Sequence, residues 1–141
     1  MSPVAQVLTA VRERLADPRA WVQGTWAGIR THGGYVVPFN QHRDMARANC
    51  WCLSEAITLA MPELVRGGLD TWTELRSDVE RELLNTLDEL GAVDANGKRW
   101  AVIYQWNDDG LTSHADVMAL LLLTLGRVAP GVLPNSGSDR P

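Results

Sequence analysis

Between Trp72 and Leu90 a stripe of apolar side chains and one threonine falls at 72, 75, 79, 83, 86, 87 and 90. Steps of three and four put them on a single face of an α-helix. A helix of this kind is stable in water only when its stripe is covered, so the segment demands a packed, helix-lined core. Both ends are marked. Asp70 or Thr71 can cap the start, with Thr71 and Glu74 at capping-box spacing, and Gly91 stands at the C-terminal cap position. The spacing predicts a helix over 71–90.

Three more segments share that period. Ser2 and Pro3 suit an N-cap and first helical position, and Val4, Val7, Leu8, Val11 and Leu15 follow at helical steps, predicting a helix over 3–16. Met45, Asn49, Cys52, Leu53, Ala56 and Ala60 line one side of a helix over 44–60, closed before Pro62. Thr112 or Ser113 caps a last helix over 113–128, with Val117, Leu120, Leu121, Thr124, Leu125 and Val128 inward and Pro130 as its stop.

Between them the period is lost. Gly24, Gly28, Gly33 and Gly34 break any helical pattern, and "TWAGIRTHGGYVVPF" reads as a hairpin around the Gly33-Gly34 turn. Asn96-Gly97 marks another turn. In "KRWAVIYQWND", Trp100, Val102, Tyr104 and Trp106 alternate with Ala101, Ile103 and Gln105, which predicts a strand free to pair with the hairpin. The expected class is mainly α with minor β: four main helices, a small β-hairpin and one further short strand. Residues 1–129 are expected to form a single globular domain and 130–141, rich in Pro, Gly and Ser, a flexible tail.

A chain of 141 residues can bury a core of its own without staples. Two cysteines do not make a disulfide framework, and no basic start leads into an apolar run and a small-residue cleavage site, which favours a cytoplasmic protein. The run "VMALLLLTLG" at 117–126 is too short for a bilayer, so no membrane partner is expected. A net charge of -4 argues against nucleic acid as a partner. Arginines at 12, 14, 19, 30, 43, 47 and 66 crowd the first half and keep weak nucleic-acid binding as an alternative. Six Trp stand beside one Phe. Their N–H groups need partners when buried, so several rings are expected to be half covered.

The stretch "NCWCLSEAI" at 49–57 raises the question of thiol chemistry. On a helix, residues two apart point about 200° from each other, so Cys50 and Cys52 cannot grip one metal, and no second Cys or His pair stands at ligand spacing. No metal and no cofactor is expected. Cys52 reads as core filler. Cys-Trp with a nearby Ser, followed by "HA" at 114–115, shares surface features with papain-like hydrolases, making Cys52, Cys50 and His114 weak catalytic candidates. Such enzymes start a helix at the cysteine, and here "DMARA" before Cys50 looks helical itself. His32 and His42 read as loop histidines. "WVQG" at 21–24 and "WND" at 106–108 each set a ring beside amide or carboxylate groups at an element's edge, as loop anchors or as the wall of a pocket.

Trp21-x-Gln23-Gly24 with Ala27, then "WCLSEAI" from Trp51 to Ile57, then Trp106-Asn107-Asp108, then Thr112 and a final helix bearing Val117, resembles an uncharacterised domain-of-unknown-function family of actinobacteria and their phages. The resemblance spans about 4–128 and departs at Glu55, where that family usually carries Gly. It implies no known activity, cofactor or partner. By analogy it groups Gln23, Cys52, Trp106, Asn107 and Asp108 in space. The leading expectation is a small soluble accessory protein that is not an enzyme, binding a protein or small-molecule partner through a Trp-rich polar face of Trp21, Gln23, Cys52, Trp106, Asn107 and Asp108. The alternative is a thiol-dependent hydrolase or transferase using Cys52 or Cys50 with a histidine.

Overall fold

The computed structural model describes residues 1–39, 46–61 and 68–130. Helix α1 runs over Pro3–Arg14, with the Ser2 side chain accepting from the Ala5 N–H at its start and Ala5, Val7, Leu8 and Val11 buried along one face. Strands β1 (Ala27–Arg30) and β2 (Val36–Pro38) form the hairpin expected around Gly33-Gly34. Their antiparallel register pairs Gly28 with Pro38, Ile29 with Val37 and Arg30 with Val36. Gly28 is dictated by that pairing: a Cβ there would stand 2.5 Å from the Val37 carbonyl oxygen.

The long stripe becomes α3 (Leu69–Glu89), burying Leu75, Val79, Leu83, Thr86 and Leu87. Its start differs in detail: the N-cap is Gly68, so Asp70 and Thr71 lie within the first turn. Its end is as expected. Gly91 adopts φ 73°, and the Gly91 and Ala92 N–H groups reach back to the Asp88 and Leu87 carbonyls, closing the helix with a paired C-terminal bond set. The last helix, α5 (His114–Val128), opens on a full capping box between Ser113 and Asp116. Thr86 and Thr124, both in the apolar stripes, meet across α3 and α5 with hydroxyls 2.8 Å apart. Helices α1, α3 and α5 pack on one another around a shared apolar core.

Two expectations are corrected. The helix expected over 44–60 begins only at Leu53, as α2 (Leu53–Ala60). Cys50–Trp51 instead form β3, antiparallel to β1, with Ala27 opposite Trp51 and Gly28 opposite Cys50. The sheet order is β2-β1-β3. The extended form wins because neighbouring backbone takes up its polar groups: the Cys52 N–H bonds the Trp26 carbonyl at 2.8 Å and the Trp51 carbonyl accepts from Val22 at 3.1 Å. Asp44 and Met45, which began the expected helix, lie outside the described residues, as does the expected tail after Pro130.

The strand expected in 98–108 is instead a short helix, α4 (Ile103–Asp108). Alternation and helical spacing coincide here, because Ile103, Trp106 and Asn107 also stand at steps of three and one, and these are the buried residues. Tyr104, which alternation would have put beside Trp106, is exposed. The Glu80 carboxylate decides the start, accepting the Ile103 N–H at 2.9 Å while its other oxygen takes Arg76 at 3.2 Å. One residue of α3 thus caps α4 from outside. Helix α4 packs against α2 and α3, which places its C-terminal end beside the N-terminus of α2.

Candidate functional site

Asn107 is fully buried at that junction. Its side-chain oxygen accepts from the Trp21 indole N–H at 2.6 Å and from the Leu53 N–H at 3.0 Å, and its amide nitrogen donates to the Val22 carbonyl at 3.1 Å and to Asp108 Oδ1 at 2.9 Å. Both neighbours of the oxygen can only donate, so the amide orientation is set by chemistry. Every donor and acceptor of the side chain is used. Leu53 is the first residue of α2, so Asn107 supplies the partner that a helix's first N–H lacks.

Gln23 does the complementary work at the end of α4. Its Nε2 lies 2.8 Å from the Asn107 and Asp109 carbonyls and 3.1 Å from that of Thr112, so it gathers the acceptors exposed where α4 stops. Gly24, at φ 79°, donates its N–H to Asp108 Oδ1 at 2.9 Å. The residues "WVQG" and "WND" therefore bind each other directly, in a latch that joins the strand-side loop to α4 and α2. Trp21, Gln23, Asn107 and Asp108 are in it, and Cys52 adjoins it through Leu53. Trp106 is turned away, 7% exposed, into the apolar core.

The two cysteines occupy different elements. Cys50, in β3, donates its thiol to the Gly28 carbonyl at 3.4 Å, and burial pushes its pKa up against the opposing pull of the Arg30 charge. Cys52 is the N-cap of α2, with its sulfur accepting the Glu55 N–H at 3.3 Å. The divergence of the two thiols expected from a shared helix is thus overturned, since no helix contains them both. A cysteine at a helix N-terminus is ordinarily acidified. Here desolvation wins: burial foremost, with the negative charges of Asp108 and Glu55 adding to it, pushes the Cys52 pKa up to about 11 despite the bond from the Glu55 N–H.

His114 does not serve either sulfur. Its Nε2 lies 2.6 Å from the Leu15 carbonyl oxygen, so that nitrogen carries a proton and donates it, and its ring lies tilted against Trp21 with centroids 6.2 Å apart. His32 is exposed beside the hairpin turn, and His42 lies outside the described residues. Among the described residues no imidazole bonds a thiol, and no group of three or more His, Cys, Asp and Glu side chains could hold a metal ion. Two arginines of the first half have structural work. Arg30 donates to the Trp21, Arg19 and Gly34 carbonyls, and the Arg14 guanidinium lies 4.8 Å above the Trp51 ring. Arg43 and Arg66 lie outside the described residues.

A cavity of about 310 Å³ opens beside the latch, lined by Thr25, Trp26, Cys52, Ser54, Tyr104 and Asp108 with Gly24 at its edge. Trp26 is 61% and Tyr104 48% exposed, a large aromatic surface for residues that pay no part in the core. Ser54 is fixed from behind by Arg76, whose Nη2 donates to the hydroxyl at 2.7 Å. Asp108 brings a carboxylate already oriented by Gly24 and Asn107. The latch residues Trp21, Gln23 and Asn107 hold these walls in position.

The family model for a family of unknown function, DUF6197, matches residues 1–125. The chain belongs to that family. No curated protein matches the chain, and no solved structure does. The family therefore covers α1 through nearly all of α5, including the latch and the cavity. No helix among the described residues is long and apolar enough to cross a membrane.

Sequence reasoning singled out Cys52 and Asp108 of the cavity and missed Thr25, Trp26, Ser54 and Tyr104. The hairpin pattern takes in Trp26, and the alternating pattern takes in Tyr104. A helical reading of 103–108 would have found Tyr104, because with Ile103, Trp106 and Asn107 inward the residue at 104 must face out.

Proposed function

We propose that this member of the family is a non-catalytic binding protein that takes up a protein or small-molecule partner at the cavity between the 24–26 loop, the start of α2 and the outer face of α4. The observation that carries the reading is the state of Cys52. Its sulfur is spent as a helix cap and is held protonated, with a pKa of about 11, in the one place where a thiol hydrolase would need a thiolate. Beside it, two exposed aromatic rings and an oriented carboxylate make a recognition surface without a reagent. Of the sequence-named residues, Cys52 and Asp108 contact the partner in this reading. Trp21, Gln23 and Asn107 position them, and Trp106 supports α4 from the core. The setting in an actinobacterial or phage-infected cytoplasm, suggested by the motif order, is part of the same proposal.

Two measurements test it. Alkylation of the native chain with iodoacetamide across pH 6 to 10 should stay slow at Cys52 and lag behind that of a free cysteine throughout; fast labelling with a midpoint well below that of free cysteine restores the hydrolase or transferase alternative. A panel of small fragments followed by ¹H–¹⁵N spectra should shift Gly24, Thr25, Tyr104 and the Trp26 indole together. Shifts gathered elsewhere on the molecule overturn the assignment of the site.

A further inference from the structure

We infer that the occupant of this cavity is an alkylammonium group, with Asp108 as its counter-ion, Trp26 and Tyr104 as its aromatic walls and Cys52 against its hydrocarbon stem. The inference rests on the binding reading above and names the chemistry of the ligand. Among the described residues, Asp108 is the one charged side chain that lines the cavity. Its Oδ1 is held by the Gly24 N–H at 2.9 Å and the Asn107 amide at 2.9 Å, so the carboxylate plane is set before any ligand arrives. Neither bond neutralises its charge, and no lysine or arginine of the described residues forms an ion pair with it. A carboxylate accepts through two oxygens and about four lone-pair directions, so a donor approaching from the cavity still has sites to meet.

The rings complete the argument. A tryptophan or tyrosine face carries negative charge density and attracts a cation, more strongly as water is excluded. Trp26 and Tyr104 share the cavity with Asp108 and are both well exposed, so their surfaces are open to a ligand. Charge of the opposite sign is disfavoured: Asp108 and the nearly buried Glu55 both act on the Cys52 thiol as negative charges. The Arg76 guanidinium, behind the wall at Ser54, is paired with Glu80 at 3.2 Å. At about 310 Å³ the space is at the small end for ligand pockets, enough for a short chain and its head group and too little for a dinucleotide. A lysine side chain and a free alkylamine present the same chemistry to it.

The test uses the full chain and follows the Trp26 indole, assigned with a Trp26→Phe variant, and the amides of Gly24 and Thr25. Titration with n-butylammonium chloride should produce saturable shifts, and n-butanol, of equal length and no charge, should bind at least about tenfold more weakly. Asp108→Asn keeps an oxygen for Gly24 and Asn107 while removing the charge, so its other signals should stay in place and the butylammonium shifts should lose saturation. Nα-acetyl-lysine N-methylamide separates the sources: tighter binding than butylammonium assigns the group to a lysine of a partner chain, and equal binding assigns it to a free amine. Equal shifts with butanol, no shift with either amine, or undiminished binding by Asp108→Asn each overturn the cation assignment. None of these outcomes touches the binding reading, which stands or falls on where the neutral fragments collect.

Discussion

Helix α3 and the latch around Asn107 are held in place by different physics. In α3 the stripe Leu75, Val79, Leu83 and Leu87 is buried against α1 and α5, and each contact is non-directional and tolerant of small shifts. The latch has little stripe to bury; it is fixed by hydrogen bonds of set geometry, such as Trp21 to Asn107 and Leu53 to Asn107, between residues 86 and 54 positions apart. The first kind of order is local and repeats along the chain. The second exists only when the whole fold has closed, and it is the kind that shapes the cavity.

Removing the hub should therefore damage the molecule differently from cutting the stripe. Asn107→Ala strands the Trp21 indole N–H, the Leu53 N–H and the Val22 carbonyl in a largely buried site, and should cost about 4 kcal/mol of unfolding free energy. Leu83→Ala, at a fully buried position of α3, removes side-chain volume and leaves a cavity, at about 3 kcal/mol. Chemical denaturation gives the totals, and amide hydrogen exchange separates the mechanisms. Protection should vanish first at Leu53 and the Trp21 indole in Asn107→Ala, and fall together across α1, α3 and α5 in Leu83→Ala. A uniform loss in both variants would mean that the latch has no independent identity.

The same division explains what could be read from the chain. Helices α1, α3 and α5 were legible because their stripes run for three turns or more, long enough for one period to exclude the other. In the six residues of α4 the two periods overlap, and the deciding group, the Glu80 carboxylate at the Ile103 N–H, comes from 23 positions away. Cys50 and Trp51 are extended because β1 offers them a partner, a fact not written in their own sequence. Of the site, the pairing of "WVQG" with "WND" followed from a resemblance alone. No local signal could supply it, since each half is an ordinary turn until the other is placed beside it.

Cys52 sharpens the contrast through pH. Its pKa stands near 9.0 in the unfolded chain and about 11 in the fold, so the native state keeps a proton that the unfolded state gives up in between. The folded form binds more protons over that interval, and stability must fall as pH rises from about 9 through about 11, having been fully present below it. Cys52→Ser retains an oxygen that can cap the Glu55 N–H and removes the titration. From pH 8.5 to 11 the wild-type chain should lose about 2 kcal/mol more stability than Cys52→Ser, with Cys50 contributing equally to both. Parallel curves would show that the thiol is not held protonated, and would reopen the hydrolase reading.

The smallest effect on stability should come from the residue most exposed to a ligand. Trp26 is 61% exposed and contributes little to the core, so Trp26→Ala should change unfolding free energy by less than about 1 kcal/mol. Its backbone carbonyl, which accepts the Cys52 N–H at 2.8 Å, is kept by any side chain, so β3 and the start of α2 should be unmoved. The same variant should abolish the response of Gly24 and Thr25 to butylammonium. A residue whose loss leaves the fold intact and removes binding is held in that place by what it meets from outside. A large loss of stability would instead make the ring a strut for the 24–26 loop, and the cavity a by-product of how that loop packs.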